Sequence, residues 1–151
     1  MTDYSAGQLP IIEFGFPGEL RDRLVASVLS GQKTATTGLR IEWDLDGDPI
    51  PHAGERFAVV DSHGSRVAVI EVTEVRLLGL AQVDLAIAIE EGEGFGSVEQ
   101  WRLAHEAFWN GYAEELRSRL GDPSWKLVDE TPVIVERFRL LGRLDAAGAL
   151  D

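Results

Sequence analysis

Apolar residues recur at helical spacing near the start of the chain. They stand three or four positions apart, with charged residues between them: Leu20, Leu24, Val25, Val28 and Leu29. This spacing predicts an amphipathic helix over 17–30. Pro17 suits its first turn, and Gly31 ends it, because glycine takes the left-handed conformation without a steric penalty.

Two further helices are predicted in the second half of the chain. Asp84 caps a short helix over 85–91, which Gly92 ends. The longest predicted helix starts with a capping box at 97–100 and continues to Gly121. Its apolar stripe consists of Val98, Trp101, His105, Phe108, Trp109, Tyr112 and Leu116. Aromatic residues at this spacing favour core packing over a surface for stacking bases.

Strands are predicted where apolar and polar residues alternate, at 34–39, 56–60, 66–75 and 132–141. The second and third of these form a hairpin through Ser62-His63-Gly64. Residues 11–16 indicate a short strand or a packed arm. Residues 44–54 indicate a loop, because glycines and prolines interrupt any regular element there.

The order of these elements, a helix, strands, helices and a last strand, predicts an α+β fold. A chain of 151 residues is long enough to form one domain with its own core. We expect a single domain over 1–151, with its core at about 17–141 and flexible tails at 1–10 and 142–151.

Composition narrows the class of protein. The chain contains no cysteine, which rules out disulfides and a thiolate zinc site. It has no apolar run of membrane-spanning length and no signal-peptide pattern, so we expect a cytoplasmic protein. Homodimerisation stays open.

The net charge of −12 limits the kinds of molecule that we expect the protein to bind. Nucleic-acid-binding proteins usually present a basic face, because neutralisation of phosphates supplies most of their non-specific affinity. Here the segments 41–61 and 84–100 hold six and five acidic residues, against a single arginine, Arg56, in the first. The charge therefore disfavours long nucleic acid as a partner and favours a nucleoside or a short RNA.

Candidate chemistry begins directly after the first predicted helix. Lys33 is followed by three threonines, Thr34, Thr36 and Thr37. A neutral, desolvated lysine can take a proton from a hydroxyl group, whereas arginine cannot serve as a base near neutral pH. Lys33 is also one of only two lysines in the chain. A solvated lysine in a turn before a Thr-rich strand is the alternative.

The geometry of this segment leaves one question open. In a regular strand Lys33 and Thr36 point to opposite faces, so they converge only if the chain turns around residues 33–35. Which of Thr34, Thr36 and Thr37 faces a cleft stays open.

Two other groups are candidates. Glu90, Glu91 and Glu93 stand at the end of a predicted helix, where the macrodipole disfavours carboxylates. An unfavourable placement of this kind indicates function, although a solvated acidic turn is the alternative. The third group is Trp101, Arg102 and His105 on the longest predicted helix, where a structural histidine is the alternative. The other histidines lack the spacing of metal ligands.

Together these elements resemble the ASCH domain family, which is related to PUA-like RNA-binding barrels. The matching motifs occur in the order typical of the family, between about Leu20 and Leu141. They are Gly31-Gln32-Lys33-Thr34-Ala35-Thr36, Pro51 with Gly54-Glu55, Ile70-Glu71-Val72-Thr73-Glu74-Val75, Glu90-Glu91-Gly92-Glu93-Gly94, Trp101-Arg102 with His105, and Val135-Glu136-Arg137-Phe138.

The resemblance implies a small mixed PUA-like β-barrel flanked by helices, with a cleft between them. Some small members are similar to amidohydrolases that remove the acetyl group from N4-acetylcytidine. Carried over, Thr36 would be the nucleophile, Lys33 the base that activates it, and Glu91 their partner, with Glu93 as the alternative. This route needs no cofactor. Substrate contacts would come from Thr34, Thr37, Arg40, Glu93, Trp101 and Arg102.

Two alternatives follow from the same resemblance. A long loop at 41–54 and a long C-terminal helix match larger ASCH proteins that have been linked to ribonuclease activity. In a nuclease, Lys33 would stabilise the charge on the phosphate, and the carboxylates could hold a divalent metal. The other alternative is a non-catalytic module that binds RNA or a modified base, against which the net charge argues.

Overall fold

A five-stranded mixed sheet forms the framework of the protein, with the strand order β1-β3-β4-β5-β2. The computed structural model describes residues 6–150; residues 1–5 and 151 lie outside it. The strands are β1 (Ile11–Ile12), β2 (Ala35–Leu39), β3 (Arg56–Val60), β4 (Arg66–Gly79) and β5 (Pro132–Arg143). The pair β1–β3 is parallel, and the other three pairs are antiparallel.

Helices cover the sheet on both sides. They are α1 (Glu19–Ser30), α2 (Arg40–Asp46), α3 (Leu85–Glu90), α4 (Val98–Asn110) and α5 (Ala113–Leu120). Two short 3₁₀ turns, Ala6–Gln8 and Leu80–Gln82, complete the structure described. None of these helices combines the length and the hydropathy needed to cross a membrane.

The sheet separates two hydrophobic clusters. Val133 and Val135 of β5 pack with the tryptophans of α4, whereas Phe138 packs with Phe14 and with α1. Because successive strand residues point to opposite faces, β5 contributes to both clusters. The strand β2 lies at one edge of the sheet, in contact with α2 and α3.

The α+β class is confirmed, and the sheet is open. Between residues 6 and 150 the strands at its two ends, β1 and β2, do not pair with each other. The framework is therefore an open PUA-like sheet rather than a closed β-barrel. Its long strands β4 and β5 are paired along almost their whole length, with irregularities at Val69/Ile70 and Val72/Glu74.

Two of the predicted elements differ from the structure. The segment 44–54 is not a loop throughout, because α2 extends to Asp46 and ends at Gly47 in the left-handed conformation. The long helix predicted from 98 to 121 is two helices. They are separated at Gly111 and Tyr112, where Tyr112 leaves helical geometry with a φ of −130° and donates a hydrogen bond to Glu42 at 2.7 Å.

The segments predicted to be flexible tails make defined contacts where the structure describes them. Arg66 donates hydrogen bonds to the carbonyl groups of Ala6 and Leu9, both at 2.8 Å. At the other end, β5 continues to Arg143, and Leu144 pairs with Leu150 in an isolated bridge. The remaining positions of this prediction, 1–5 and 151, lie outside the described residues.

Candidate active site

A cavity of about 660 Å³ opens along β2, a size typical of sites for small ligands. Its walls come from the segment 11–16, from α1, β2, α2 and α4, and from the turn after α3. Six aromatic residues line it: Phe14, Phe16, Trp43, Phe108, Trp109 and Tyr112. Such a lining offers flat apolar surfaces against which a planar ring can stack.

A buried ion pair lies in the wall of this cavity. The Lys33 Nζ atom is 3.3 Å from Glu91 Oε1, and both side chains are almost fully buried. Lys33 also donates to the carbonyl groups of Ala35 at 2.8 Å and of Glu91 at 3.2 Å. The Phe14 ring lies 5.6 Å from Nζ. The amine thus faces three oxygen acceptors, which is the arrangement that suits an ammonium group.

Glu91 is held from the other side by α4. Trp101 Nε1 donates to Glu91 Oε2 at 2.7 Å, and His105 Nε2 lies 3.4 Å from Glu91 Oε1. Burial alone would raise the pKa of Glu91, but the Lys33 ammonium and the hydrogen bonds from His105 and Trp101 outweigh it and lower the pKa to about 2. Glu91 is therefore a carboxylate at neutral pH.

A close backbone contact brings Lys33 and Glu91 together. The turn after α3 passes so near β2 that a Cβ on Gly92 would lie 2.7 Å from the backbone of Lys33 and from Ser27 Oγ. Ser27 Oγ donates to the Gly92 carbonyl at 3.0 Å, and the Thr34 amide donates to the Glu90 carbonyl at 2.8 Å. Only glycine fits here, since its φ is also +75°.

Each glutamate at the end of α3 and in the turn after it lies near a cation of its own. Glu90 accepts a hydrogen bond from Arg137 at 2.8 Å, Glu91 pairs with Lys33, and Glu93 lies 3.6 Å from Arg23. The three carboxylates at this helix end are thus each offset by a cation from a different element. This explains how α3 tolerates charges that its macrodipole disfavours.

Two of the three candidate threonines line the cavity, Thr36 and Thr37. Thr37 Oγ1 is buried and lacks a hydrogen-bond partner within the described chain. Thr36 is half-buried and lies directly opposite Glu136 in the antiparallel pair with β5. Lys33 precedes β2, and its acceptors in residues 6–150 do not include the Thr36 hydroxyl. Both side chains nonetheless border one cavity, because the chain turns before Ala35.

Of the predicted site residues, Lys33, Thr36, Thr37, Glu91 and Glu93 are brought together around the cavity. The other predicted substrate contacts lie elsewhere, for reasons that the structure shows.

Trp101 is fully buried behind Glu91, to which it donates a hydrogen bond, and its ring stacks on that of His105, with the ring centroids 4.1 Å apart. Arg102 points away and pairs with Glu106 and Asp129. Arg40 is exposed at the start of α2, and Thr34 contributes backbone hydrogen bonds rather than cavity surface.

Sequence reasoning missed several cavity residues. The predicted loop at 41–54 gave no reason to place Glu42 and Trp43 at the site, whereas both lie on α2 and line the cavity. Trp43 packs so close to β2 that a Cβ on Gly38 would lie 2.8 Å from its ring. Glu136 was recognised only as part of a motif. Its position opposite Thr36 depends on the β2–β5 register, which the sequence pattern alone did not define.

A metal ion fits this site poorly. Glu91, Glu93 and His105 each offer a ligand atom within 4.8 Å of the others. However, Glu91 Oε1 already faces the Lys33 ammonium, and its other oxygen accepts from Trp101. A divalent cation at this point would lie next to a fixed positive charge. The donor set is therefore better suited to holding protons than to holding a metal.

The electrostatic character of the cavity is acidic. Seven of its lining residues are carboxylic acids, Glu13, Glu42, Asp46, Asp48, Glu91, Glu93 and Glu136, against two basic ones, Arg23 and Lys33. An anionic ligand would be repelled by this wall.

An open mixed sheet with flanking helices and a polar cavity at its edge defines an α+β protein of the PUA-like type. Residues 11–142 match the family model described as ASCH domain. The chain therefore belongs to the ASCH domain family.

Two solved structures share the fold. A protein from Enterococcus faecalis V583 is 21% identical, with a TM-score of 0.75 over 89% of this chain and 77% of that one. An ASCH domain from Lactobacillus crispatus JV V101 is 23% identical, with a TM-score of 0.72 over 87% of this chain and 79% of that one. No curated protein sequence matches this chain.

Proposed function

We propose that this protein is a hydrolase that removes an acyl group from a nucleoside, with N4-acetylcytidine as the substrate to test first. One observation carries the proposal: the buried Lys33–Glu91 pair and the Thr36 hydroxyl border a single aromatic-lined cavity. An amine, a hydroxyl and an orienting carboxylate form the logic of a catalytic triad with lysine in place of histidine.

In the proposed reaction the Thr36 oxygen attacks the carbonyl carbon of the acetyl group, and its proton passes to the Lys33 amine. When the bond from the carbonyl carbon to N4 breaks, Lys33 returns the proton to N4, which leaves as the amine of cytidine. A water molecule then cleaves the acetyl ester on Thr36 by the same proton transfers and releases acetate.

Lys33 has to lose a proton before it can accept one. The acceptor at hand is Glu91 Oε1, 3.3 Å away. Transfer within the pair turns an ammonium and a carboxylate into an amine and a carboxylic acid, so no net charge is moved. The low pKa of Glu91 favours the ionised pair in the free protein. The proposed reaction would therefore proceed through the minor neutral form of the pair, in which Lys33 is the base.

The test measures acetate release from N4-acetylcytidine by the wild type, Thr36→Val and Thr37→Val. Valine keeps the shape of threonine and removes the hydroxyl group. We expect the wild type to be active with EDTA present and Thr36→Val to lose at least about a hundredfold in kcat, the scale of a lost catalytic group. Thr37→Val should keep most of its activity.

Thr73→Val is the matched control, because Thr73 is exposed on β4 and far from the cavity lining. Loss of activity in Thr37→Val but not in Thr36→Val would move the nucleophile to Thr37. Full activity in both would refute a threonine nucleophile. Inactive wild type with N4-acetylcytidine would refute this substrate.

Metal-assisted RNA cleavage is the second candidate. The Glu91, Glu93 and His105 grouping is the observation that favours it, whereas the Lys33 ammonium beside Glu91 argues against a metal there. The same preparations incubated with a short RNA, with and without EDTA, separate the two functions. Cleavage that EDTA abolishes would support the nuclease, whereas acetate release that survives EDTA would support the deacylase.

A further inference from the structure

Glu136 is a buried glutamate that borders the cavity. Its exposed fraction is 4%, and it lies in β5 among residues of the sheet. Unlike Glu91, it has no hydrogen-bonded or ion-paired partner among residues 6–150, and the charged group that acts on it most is another acid, Glu55. Its carboxyl oxygens are not among the fully buried, unpaired atoms of residues 6–150, so they reach the cavity. No hydrogen bond or ion pair within the described chain explains a glutamate at this position.

The register of the sheet places Glu136 beside the proposed nucleophile. Thr36 and Glu136 are direct partners in the antiparallel pair of β2 and β5. Side chains at such positions lie on the same face, with their Cβ atoms roughly 5 Å apart. A ligand that reaches Thr36 therefore meets Glu136 on the same wall.

The surroundings favour the uncharged form of Glu136. Burial, with a smaller contribution from Glu55, raises its pKa to about 7. The other titratable groups bordering the cavity are Glu13, Arg23, Lys33, Glu42, Asp46, Asp48, Glu91, Glu93, His105 and Tyr112. An uncharged carboxyl group offers one O–H donor and one carbonyl acceptor side by side.

We propose that Glu136 recognises the ligand, as an uncharged carboxyl group that pairs with the edge of an aminopyrimidine. Its O–H donates to the ring nitrogen, and its carbonyl oxygen accepts from the neighbouring N–H group. Two parallel hydrogen bonds of this kind orient a cytosine ring so that its N4 substituent faces Thr36. The choice of aminopyrimidine rests on the proposed function.

The experiment titrates cytidine into the full chain by calorimetry at pH 6 and pH 8.5, for the wild type, Glu136→Gln and Glu136→Met. Glutamine keeps a donor and an acceptor at every pH, and methionine keeps the size but neither group. We expect wild-type affinity to fall roughly tenfold between the two pH values, as expected for lost hydrogen bonds. Glu136→Gln should bind equally at both.

Glu136→Met should bind roughly tenfold more weakly than the wild type at pH 6. All three proteins should have the same or a higher Tm, since the carboxyl group has no partner to lose. Because the other cavity groups are identical in wild type and Glu136→Gln, their titration cancels in the comparison. Wild-type affinity in Glu136→Met, or no cytidine binding by the wild type at pH 6, would overturn the proposal.

Acetate release separates this inference from the proposed function. Cytidine binding that depends on Glu136, in a protein that releases no acetate, would leave the recognition site standing and remove the hydrolase. Acetate release that depends on Thr36, with a cytidine affinity that does not change in Glu136→Met, would support the hydrolase and remove the recognition site.

Discussion

Glu91 and Glu136 are both buried glutamates that border the cavity, yet their electrostatic environments are opposite. Glu91 faces Lys33, His105 and the Trp101 indole, which hold it as a carboxylate. Glu136 has no cation partner among residues 6–150, and burial together with Glu55 favours its protonated form. The difference comes from the neighbours that the fold supplies to each residue. One glutamate is fixed as a charge, and the other titrates near neutral pH.

These two residues give the free energy of unfolding a maximum in mildly acidic solution. The pKa of Glu91 lies below its ordinary value of 4.5, so its contribution is complete above pH 4.5 and is lost as the pH falls towards about 2. The pKa of Glu136 is raised from 4.5 to about 7, so stability declines as the pH rises between these values. We expect the maximum near pH 4.5.

Denaturant unfolding of the wild type and Glu136→Gln across pH 3 to 8 checks this expectation. The decline attributable to Glu136 is about 3 kcal/mol, since each pKa unit corresponds to about 1.4 kcal/mol. Glu136→Gln should be flatter than the wild type above pH 4.5 and parallel to it below. Parallel curves over the whole range would show that Glu136 titrates alike in the folded and unfolded chain.

At the scale of elements, the site depends on how closely the turn after α3 approaches the start of β2. Gly92 makes this contact possible, and Gly94 offers a matched comparison two residues later. Both have positive φ, +75° and +83°, but a Cβ on Gly94 meets no atom within 4 Å. Alanine at either position costs about 1–2 kcal/mol in backbone conformation.

Gly92→Ala should therefore destabilise the protein more than Gly94→Ala does, by about 1–3 kcal/mol, because its methyl group overlaps the Lys33 backbone. Denaturant unfolding measures both variants. Gly92→Ala should also reduce acetate release, since it separates Glu91 from Lys33. Equal stabilities for the two variants would mean that the turn moves freely and does not position Glu91.

The elements predictable from the sequence are those whose signals are local. The helix ending at Gly31, the Asp84 cap and the hairpin at 56–75 follow from spacing and turn residues. Asp84 accepts from the Ile87 amide at 3.0 Å, as its position suggested. The helix α2 was missed because it follows β2 directly and lacks a side-chain cap. The break at Gly111 was missed because the apolar stripe continues across it.

The same distinction between local and long-range signals applies to the residues of the candidate site. Lys33, Thr36 and Glu91 could be selected because they belong to motifs, and the cavity brings them together. Glu136 could not be selected by its role, since that depends on the β2–β5 register and on the charges that surround the cavity. Trp101 and Arg102 are predicted substrate contacts that do not line the cavity. Trp101 is buried behind Glu91 and stacks on His105, and Arg102 pairs with Glu106 and Asp129.

At the scale of the whole molecule, the net charge bears on whether the ligand is a neutral nucleoside or a polyanion. The net charge is −12, and the cavity carries the same sign, with seven acids against two bases. A neutral nucleoside crosses this field without electrostatic cost, whereas each phosphate group of an RNA strand adds repulsion. The charge of the whole chain and that of the cavity therefore both disfavour a polyanion.

This argument predicts different responses to salt for the two ligands. Cytidine carries no charge near neutral pH, so its Kd should change by less than about twofold between roughly 50 and 200 mM salt. A protein that neutralises six to ten phosphates would instead lose roughly a thousandfold or more in affinity for RNA over this range. Titration of cytidine and of a short single-stranded RNA at both salt concentrations makes the comparison.

We expect no RNA binding at either salt concentration, since screening at the higher salt reduces the repulsion without supplying an attractive contact. Tight RNA binding that falls steeply with salt would show that the arginines on the surface form a phosphate-binding path despite the net charge, and would identify the protein as an RNA-binding module.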